Sequence, residues 1–179
     1  MLCRSLAIAA LSLTVSNAAS AQSMFGDPSV SLGYQLLHIP DETFPLGFNL
    51  DASGTMSNGL GLVGEVGWSK DDQDQPGVGG TINFVHYGAG PRWNLGDVMV
   101  DSPARPYVQV LAGGVHTAAD TNVSNDSDNA FMLQPGFGVF VPIAPGWGAV
   151  GQVDYRRVFF KEADDNEWRL VFGLRFGGR

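Results

Sequence analysis

Residues 168–176 read WRLVFGLRF, so Trp168, Leu170, Phe172, Leu174 and Phe176 share one face and Arg169, Val171, Gly173 and Arg175 the other. A period of two is the mark of a strand. The bulky apolar side chains run unbroken along one side, with arginine and glycine opposite them. A water-soluble barrel keeps its bulk inside, whereas a barrel in lipid carries it outside and keeps its polar groups in the lumen. The pattern therefore predicts a strand whose dry face is its outer one.

Seven earlier segments alternate in the same way. The first, 29–39, sets Val30, Leu32, Tyr34 and Leu36 against Ser31, Gly33 and Gln35; the second, after Pro45, sets Phe48, Leu50 and Ala52 against Gly47, Asn49 and Asp51. Ser57-Asn58-Gly59 marks a tight turn, because Asn and Gly tolerate positive φ. The third segment opposes Leu62, Gly64, Val66 and Trp68 to Gly61, Val63, Glu65 and Gly67. The fourth, 80–95, carries Val85, Tyr87, Ala89, Pro91 and Trp93 on one face and Phe84, His86, Gly88, Gly90 and Arg92 on the other; its length predicts a bulge. In the fifth, 106–117, Val108, Val110 and Ala112 make the lipid face and Gln109 the lumen residue. The sixth opposes Leu133, Pro135, Phe137, Val139 and Val141 to Gln134, Gly136, Gly138 and Phe140. After the Pro145-Gly146 turn, the seventh opposes Ala149, Gly151, Val153, Tyr155 and Phe159 to Val150, Gln152, Asp154, Arg156 and Val158. Eight strands of roughly ten residues, tilted about 45°, span a bilayer and satisfy every backbone group by closing on themselves. The expected fold is all-β: an eight-stranded antiparallel up-and-down transmembrane β-barrel.

The N-terminus predicts the route. Arg4 precedes a short apolar run from Leu6 to Val15, and Ala19-Ser20-Ala21 places a cleavage site before Gln22. This is the pattern of a secretory signal peptide over 1–21, leaving 22–179 as the barrel. The apolar run is too short for a membrane-spanning helix. Cys3, the single cysteine, lies before that run, so the processed chain has none and no disulfide. The net charge of −8 becomes one unit more negative once Arg4 is removed. That excludes the clustered basic surface on which nucleic-acid binding depends, so no nucleic-acid partner is expected.

The connections divide into two kinds. Those at 40–44, 70–78, 118–129 and 162–166 fall at one end of an up-and-down barrel. They hold Asp41, Glu42, Asp71, Asp72, Asp74, Asp120, Asp126, Asp128, Glu162, Asp164, Asp165 and, at the edge, Glu167, which is twelve of the chain's 18 carboxylates. The opposite connections are short at 57–59 and 145–147, with a proline-containing exception at 96–105. Long loops at one end and short turns at the other are an outer-membrane asymmetry.

The leader, the eight segments, Tyr87-Gly88-Ala89-Gly90-Pro91-Arg92, Pro106-Tyr107-Val108 and the aromatic last strand resemble small Gram-negative outer-membrane β-barrels of the OmpA/OmpX-like type. The resemblance implies localisation as an integral protein of the cell outer membrane, in contact with outer-membrane lipid and lipopolysaccharide. It also implies insertion by the barrel-assembly machinery, with Trp168, Leu170, Phe172, Leu174 and Phe176 as the assembly signal. The chain departs from the family pattern in that Gly177-Gly178-Arg179 follow the last aromatic residue. No peptidoglycan-binding domain is expected after the barrel.

By the same alternation, Asp51, Glu65, His86, Arg92, Asp154, Arg156, Arg169 and Arg175 face the lumen. The interior of eight strands is just wide enough for side chains to fill it, so these groups are expected to pair with one another. Two alternatives stand beside this non-enzymatic, structural or surface-interaction reading: a narrow gated channel, and a soluble secreted barrel carrying a small apolar ligand. The chain also resembles barrel enzymes that trim lipid A with a His and a Ser on the lipid-facing surface, but residues 84–90 hold no Ser and His86 points inward. No cofactor or catalytic residue is expected. The acidic runs at 71–74 and 126–129 have Ca²⁺-type oxygen ligands without the glycine and distal glutamate of an EF-hand, so no metal site is assigned and only weak divalent-cation contact is expected there.

Overall fold

The computed structural model describes residues 27–39, 42–56, 58–75, 78–95, 102–121, 125–160 and 164–178. The expected leader, its cleavage site, Asp41 and Glu162 lie outside them. The strands are β1 (Asp27–Ile39), β2 (Glu42–Phe44), β3 (Leu46–Thr55), β4 (Leu60–Gln75), β5 (Val78–Asn94), β6 (Arg105–Thr121), β7 (Asn125–Ala144), β8 (Trp147–Phe159) and β9 (Asp164–Gly177). Each pairs antiparallel with its neighbours, and β9 returns to β1 over ten residue pairs, from Ser29↔Gly177 to His38↔Trp168. Short β2 and β3 both pair with β1 and share one position in the wall. Pro45 separates them, having no N–H for the ladder. The result is a closed eight-stranded antiparallel barrel.

The register fixes its shape. Following paired residues once around gives Asp27, Thr55, Gly61, Arg92, Gln109, Gly136, Asp154, Arg169 and then Leu37, back on β1. The circuit ends ten residues above its start. A stagger of ten over eight strands sets a tilt of about 40° and a backbone radius of about 8 Å, given a rise of about 3.3 Å and a strand spacing of about 4.8 Å.

The outer surface is apolar. Leu32, Leu50, Leu62, Tyr87, Phe137, Leu170 and Phe172 are all exposed, and their polar neighbours in sequence turn inward. Trp93, Trp147 and Phe176 stand beside the short turns. Toward the other end, Phe48 stacks on Trp68 with ring centroids 6.4 Å apart, and Tyr155 meets Trp168 edge-on at 5.3 Å. Two aromatic girdles about 25 Å apart are what a bilayer's interfaces select. The short turns close as the sequence predicts: Gly59 (φ 82°) and Gly146 (φ 85°) occupy the left-handed region, and Asn58 Oδ1 accepts from the Leu60 amide at 3.1 Å.

Three expectations are corrected. The acidic connections are shorter than the sequence suggests, because β4 and β5 stay paired out to Gln75↔Val78 and β6 and β7 out to Asp120↔Asn125. Likewise 42–44 is strand rather than loop. Low strand propensity in Asp- and Gln-rich segments is overridden by the continuing backbone ladder of a hairpin. The bulge expected in the fourth segment is absent: β5 and β6 hold one register on both sides of Gly90 and Pro91. The shift falls instead between Pro142 and Ala144 of β7.

Candidate functional site: the barrel interior

All eight lumen residues read from the sequence point inward, and none is more than 5% exposed. Alternation places them there, and the pairing levels them into tiers. In the middle tier Arg169, from β9, is clasped by two carboxylates. Its Nε and Nη2 donate to Asp154 Oδ2 at 2.9 and 2.6 Å, while Nη1 and Nη2 meet Glu65 Oε1 and Oε2 at 2.8 Å each. Nη1 also lies within 3.2 Å of Gln35 Oε1 and Asn49 Oδ1. Such charge-assisted forks are among the stronger hydrogen bonds a protein makes.

His86 completes this tier. Arg169 Nη1 is 2.9 Å from its Nε2, and since arginine only donates, that nitrogen accepts. Glu65 Oε1 lies 3.3 Å from the same nitrogen. The ring is fully buried on the lumen side, and no described Ser or Thr hydroxyl is bonded to it.

Above, toward the acidic end, Arg156 Nε donates to Gln134 Oε1 at 2.7 Å and Nη1 to Glu167 Oε2 at 3.2 Å. Glu167, counted in the sequence with the loop acids, is 1% exposed and belongs to the interior. Extending the alternation two residues back from Arg169 would have found it. Its inclusion gives the interior four arginines and four carboxylates among the described residues.

Below, toward the short turns, Arg92 donates to Gln109 Oε1 at 2.9 and 2.7 Å and to Asp51 Oδ1 at 3.1 Å, and lies over the Tyr107 ring. Arg175 donates through Nε to Ser31 Oγ at 3.1 Å and sits against the rings of Tyr107 and Phe140. Tyr107 donates to Gln152 Oε1 at 2.6 Å, and Gln152 donates to Asp154, which ties the lower tier to the middle one. Tyr107 carries no signal in the sequence beyond its parity with Gln109.

An apolar plug caps the stack. Leu37, Phe44, Phe84, Val115, Ala130, Met132 and Val158 form one buried cluster inside the barrel at the acidic end. The sequence puts Phe84 and Val158 on the inner face but does not show that their neighbours join them. At the opposite end the interior opens into a vestibule of about 1050 Å³, lined among others by Ser29, Ser53, Thr55, Asn94, Arg105 and Arg175. Among the described residues no helix is long and apolar enough to cross a membrane, and no group of three or more His, Cys, Asp or Glu side chains could hold a metal ion.

The five residues expected to form an assembly signal, Trp168, Leu170, Phe172, Leu174 and Phe176, all face outward along β9 and are 42–57% exposed. An apolar wall, aromatic girdles, a closed ladder and a polar, paired interior define a transmembrane β-barrel. The chain matches the outer membrane protein beta-barrel domain family over residues 6–176 and belongs to that family. No curated protein sequence matches it. Among solved structures it is similar in fold to Neisserial surface protein A (TM-score 0.62, 13% identity, 84% of this chain and 95% of that one). It is similar too to a major outer membrane protein of Thermus thermophilus (0.58, 14%, 84% and 99%) and to OprG of Pseudomonas aeruginosa (0.56, 10%, 86% and 96%).

Proposed function

We propose that the protein is a non-enzymatic, non-conducting barrel of the outer membrane that works through its outer surfaces. One observation carries this reading: the interior is occupied from the Arg92 tier up to the Leu37–Met132 plug, so a solute would have to displace both buried ion pairs and a dry apolar layer. Breaking buried pairs one partner at a time costs several kcal/mol, about 3–5 for each. The soluble-carrier alternative needs the apolar face inside, the reverse of the burial pattern.

The surface available for interaction is at the acidic end. There β4 to β7 continue past their neighbours as a four-stranded sheet about 10 Å taller than the rest of the rim, given the rise and tilt. Among the described residues, Asp71–Gln75 of β4 pairs only with β5, and Asn125–Ala130 of β7 only with β6. These free edges carry Asp71, Asp72, Asp74, Asp126 and Asp128, a charge pattern that discourages self-pairing and favours a basic partner. Divalent cations bridge the same acids to lipopolysaccharide phosphates, weakly. Export uses the 1–21 leader, and the barrel-assembly machinery reads the outward face of β9.

The test is fractionation and conductance together. Expressed in a Gram-negative host, the chain is expected in the outer-membrane fraction, with gel mobility that shifts on boiling and no conductance steps in planar bilayers. Recovery as soluble periplasmic protein, or discrete steps above background, would sink the reading.

A further inference from the structure

Three of the four interior arginines have a carboxylate partner: Arg92 has Asp51, Arg156 has Glu167, and Arg169 has Asp154 and Glu65. Arg175 is held differently. It is 5% exposed, its Nε is bonded to a neutral hydroxyl, two aromatic faces flank its guanidinium, and its Nη2 has no partner among the described residues. Among the described residues the interior is therefore neutral in total but uneven by tier. The upper and middle tiers hold Arg156 and Arg169 against Glu65, Asp154 and Glu167, whereas the lower tier holds Arg92 and Arg175 against Asp51 alone. The surplus positive charge lies at the end that opens to water.

That end is the vestibule of about 1050 Å³, and Arg175 is part of its lining. Ser29, Ser53, Thr55, Asn58 and Asn94 make the walls polar, with Ser29 bonded to Ser53 and Asn94 donating to Thr55, and exposed Arg105 adds a second cation at the rim. Among the described lining residues Asp27 is the one acid. The inner end is blocked by the Arg169 tier and the apolar plug, so the vestibule is blind. A buried guanidinium with no carboxylate in direct contact is costly in a low-dielectric wall, and an oxyanion seated against it relieves that cost.

We propose that the vestibule at the short-turn end is a binding site for a phosphate-type oxyanion, with Arg175 as its principal ligand. Two sources offer that chemistry at this depth: free phosphate in the adjoining water, and the headgroup of a phospholipid in the adjoining leaflet. The site stands on the geometry of the lower tier. It borrows from the proposed function only the side of the membrane that it faces, so conductance or fractionation results leave its test untouched.

The experiment uses the folded barrel in a maltoside detergent, which contains no phosphate, with Tris chloride as background. The midpoint of thermal unfolding is followed by loss of the unboiled gel band while inorganic phosphate, or separately short-chain phosphatidylglycerol, is titrated in. A ligand that binds only the folded barrel raises the midpoint in proportion to the logarithm of its concentration above Kd. Saturable stabilisation by phosphate assigns the free anion; stabilisation by the lipid alone assigns the headgroup; no stabilisation by either overturns the site. Arg175→Gln is expected to weaken binding about tenfold or more, the loss of one charge-assisted contact, and Arg175→Lys to keep most of it. Because Arg175→Gln could fail to fold, Ser31→Asp supplies an internal counter-charge beside Nε and a second acid next to Asp51. It is expected to raise the midpoint without ligand and to abolish the response to phosphate. A Ser31→Asp barrel that still responds like the wild type would refute the role of Arg175.

Discussion

Asp154 and Arg169 are directly opposed on β8 and β9, and Asp154 Oδ2 accepts two hydrogen bonds from the same guanidinium, at 2.9 and 2.6 Å. Neighbours in the ladder, they join the last two strands through the lumen as well as through the backbone. Asp154→Asn is expected to destabilise the barrel by about 3 kcal/mol, because Glu65 remains to hold the arginine. Arg169→Leu should be worse, since it leaves Asp154 and Glu65 both buried without their cation. Urea unfolding in detergent, followed by gel mobility, orders the two variants; equal effects would mean that the clamp is not shared as described.

Lumen packing makes a second prediction. A Cβ on Gly138 would run into the Tyr107 ring, and one on Gly67 into the His86 ring. Gly138→Ala is expected to push Tyr107 off Gln152 and to destabilise by about 1–3 kcal/mol, the usual range for overpacking a dense interior. By contrast, Gly64→Ala adds a methyl on the lipid side where nothing lies within 4 Å, and should be neutral. The same unfolding assay separates them.

The lipid face predicts a gradient. By its place in the ladder Phe172 lies halfway between the girdles, whereas Phe176 lies beside the short turns. Phe172→Arg is expected to cost about 2–4 kcal/mol and Phe176→Arg about 0–1, because water is within reach of the second. Equal costs would argue that the outer wall is not in lipid. Separately, if the outward face of β9 is read during assembly, Phe176→Ala should slow insertion in cells while leaving refolding in detergent unchanged. Pulse-chase accumulation of the unboiled band measures it.

Closure by two layers predicts how the interior resists opening. Met132→Ala loosens the plug but leaves the Arg169 tier intact, so planar bilayers containing this variant should stay silent. Adding Arg169→Gln removes the second layer and is the combination expected to conduct. Steps from Met132→Ala alone would place the entire barrier in the plug.

The barrel is legible because alternation is a local signal. Leu50 and Asp51, or Leu170 and Arg169, declare their faces by sequence parity alone, and every arginine assigned to the lumen lies there. What escapes is whatever depends on height along the barrel. Glu167 reads as a loop acid until the strand is known to continue past it. Met132 and Leu37 read as ambiguous, since apolar residues on both faces give no contrast. The hairpin extensions of β4 to β7 read as loops because Asp, Gln and Gly are poor strand formers, and it is pairing across the turn that holds them extended. Tiering of charge follows only from the register, which places Arg175 and Asp51 near one end and Glu65 and Asp154 farther in.

The circuit of paired residues from Asp27 to Leu37 climbs by an even number. Parity is conserved around the wall, so at the seam inward Leu37 meets inward Arg169, and outward His38 meets outward Trp168. An odd climb would set the lumen face of one edge against the lipid face of the other, and the sheet could not close as a two-sided wall. Deleting a single residue from the middle of β9 would impose that mismatch on every rung beyond it. Such a deletion is a topological fault rather than a lost contact, and no compensating side chain can repair it.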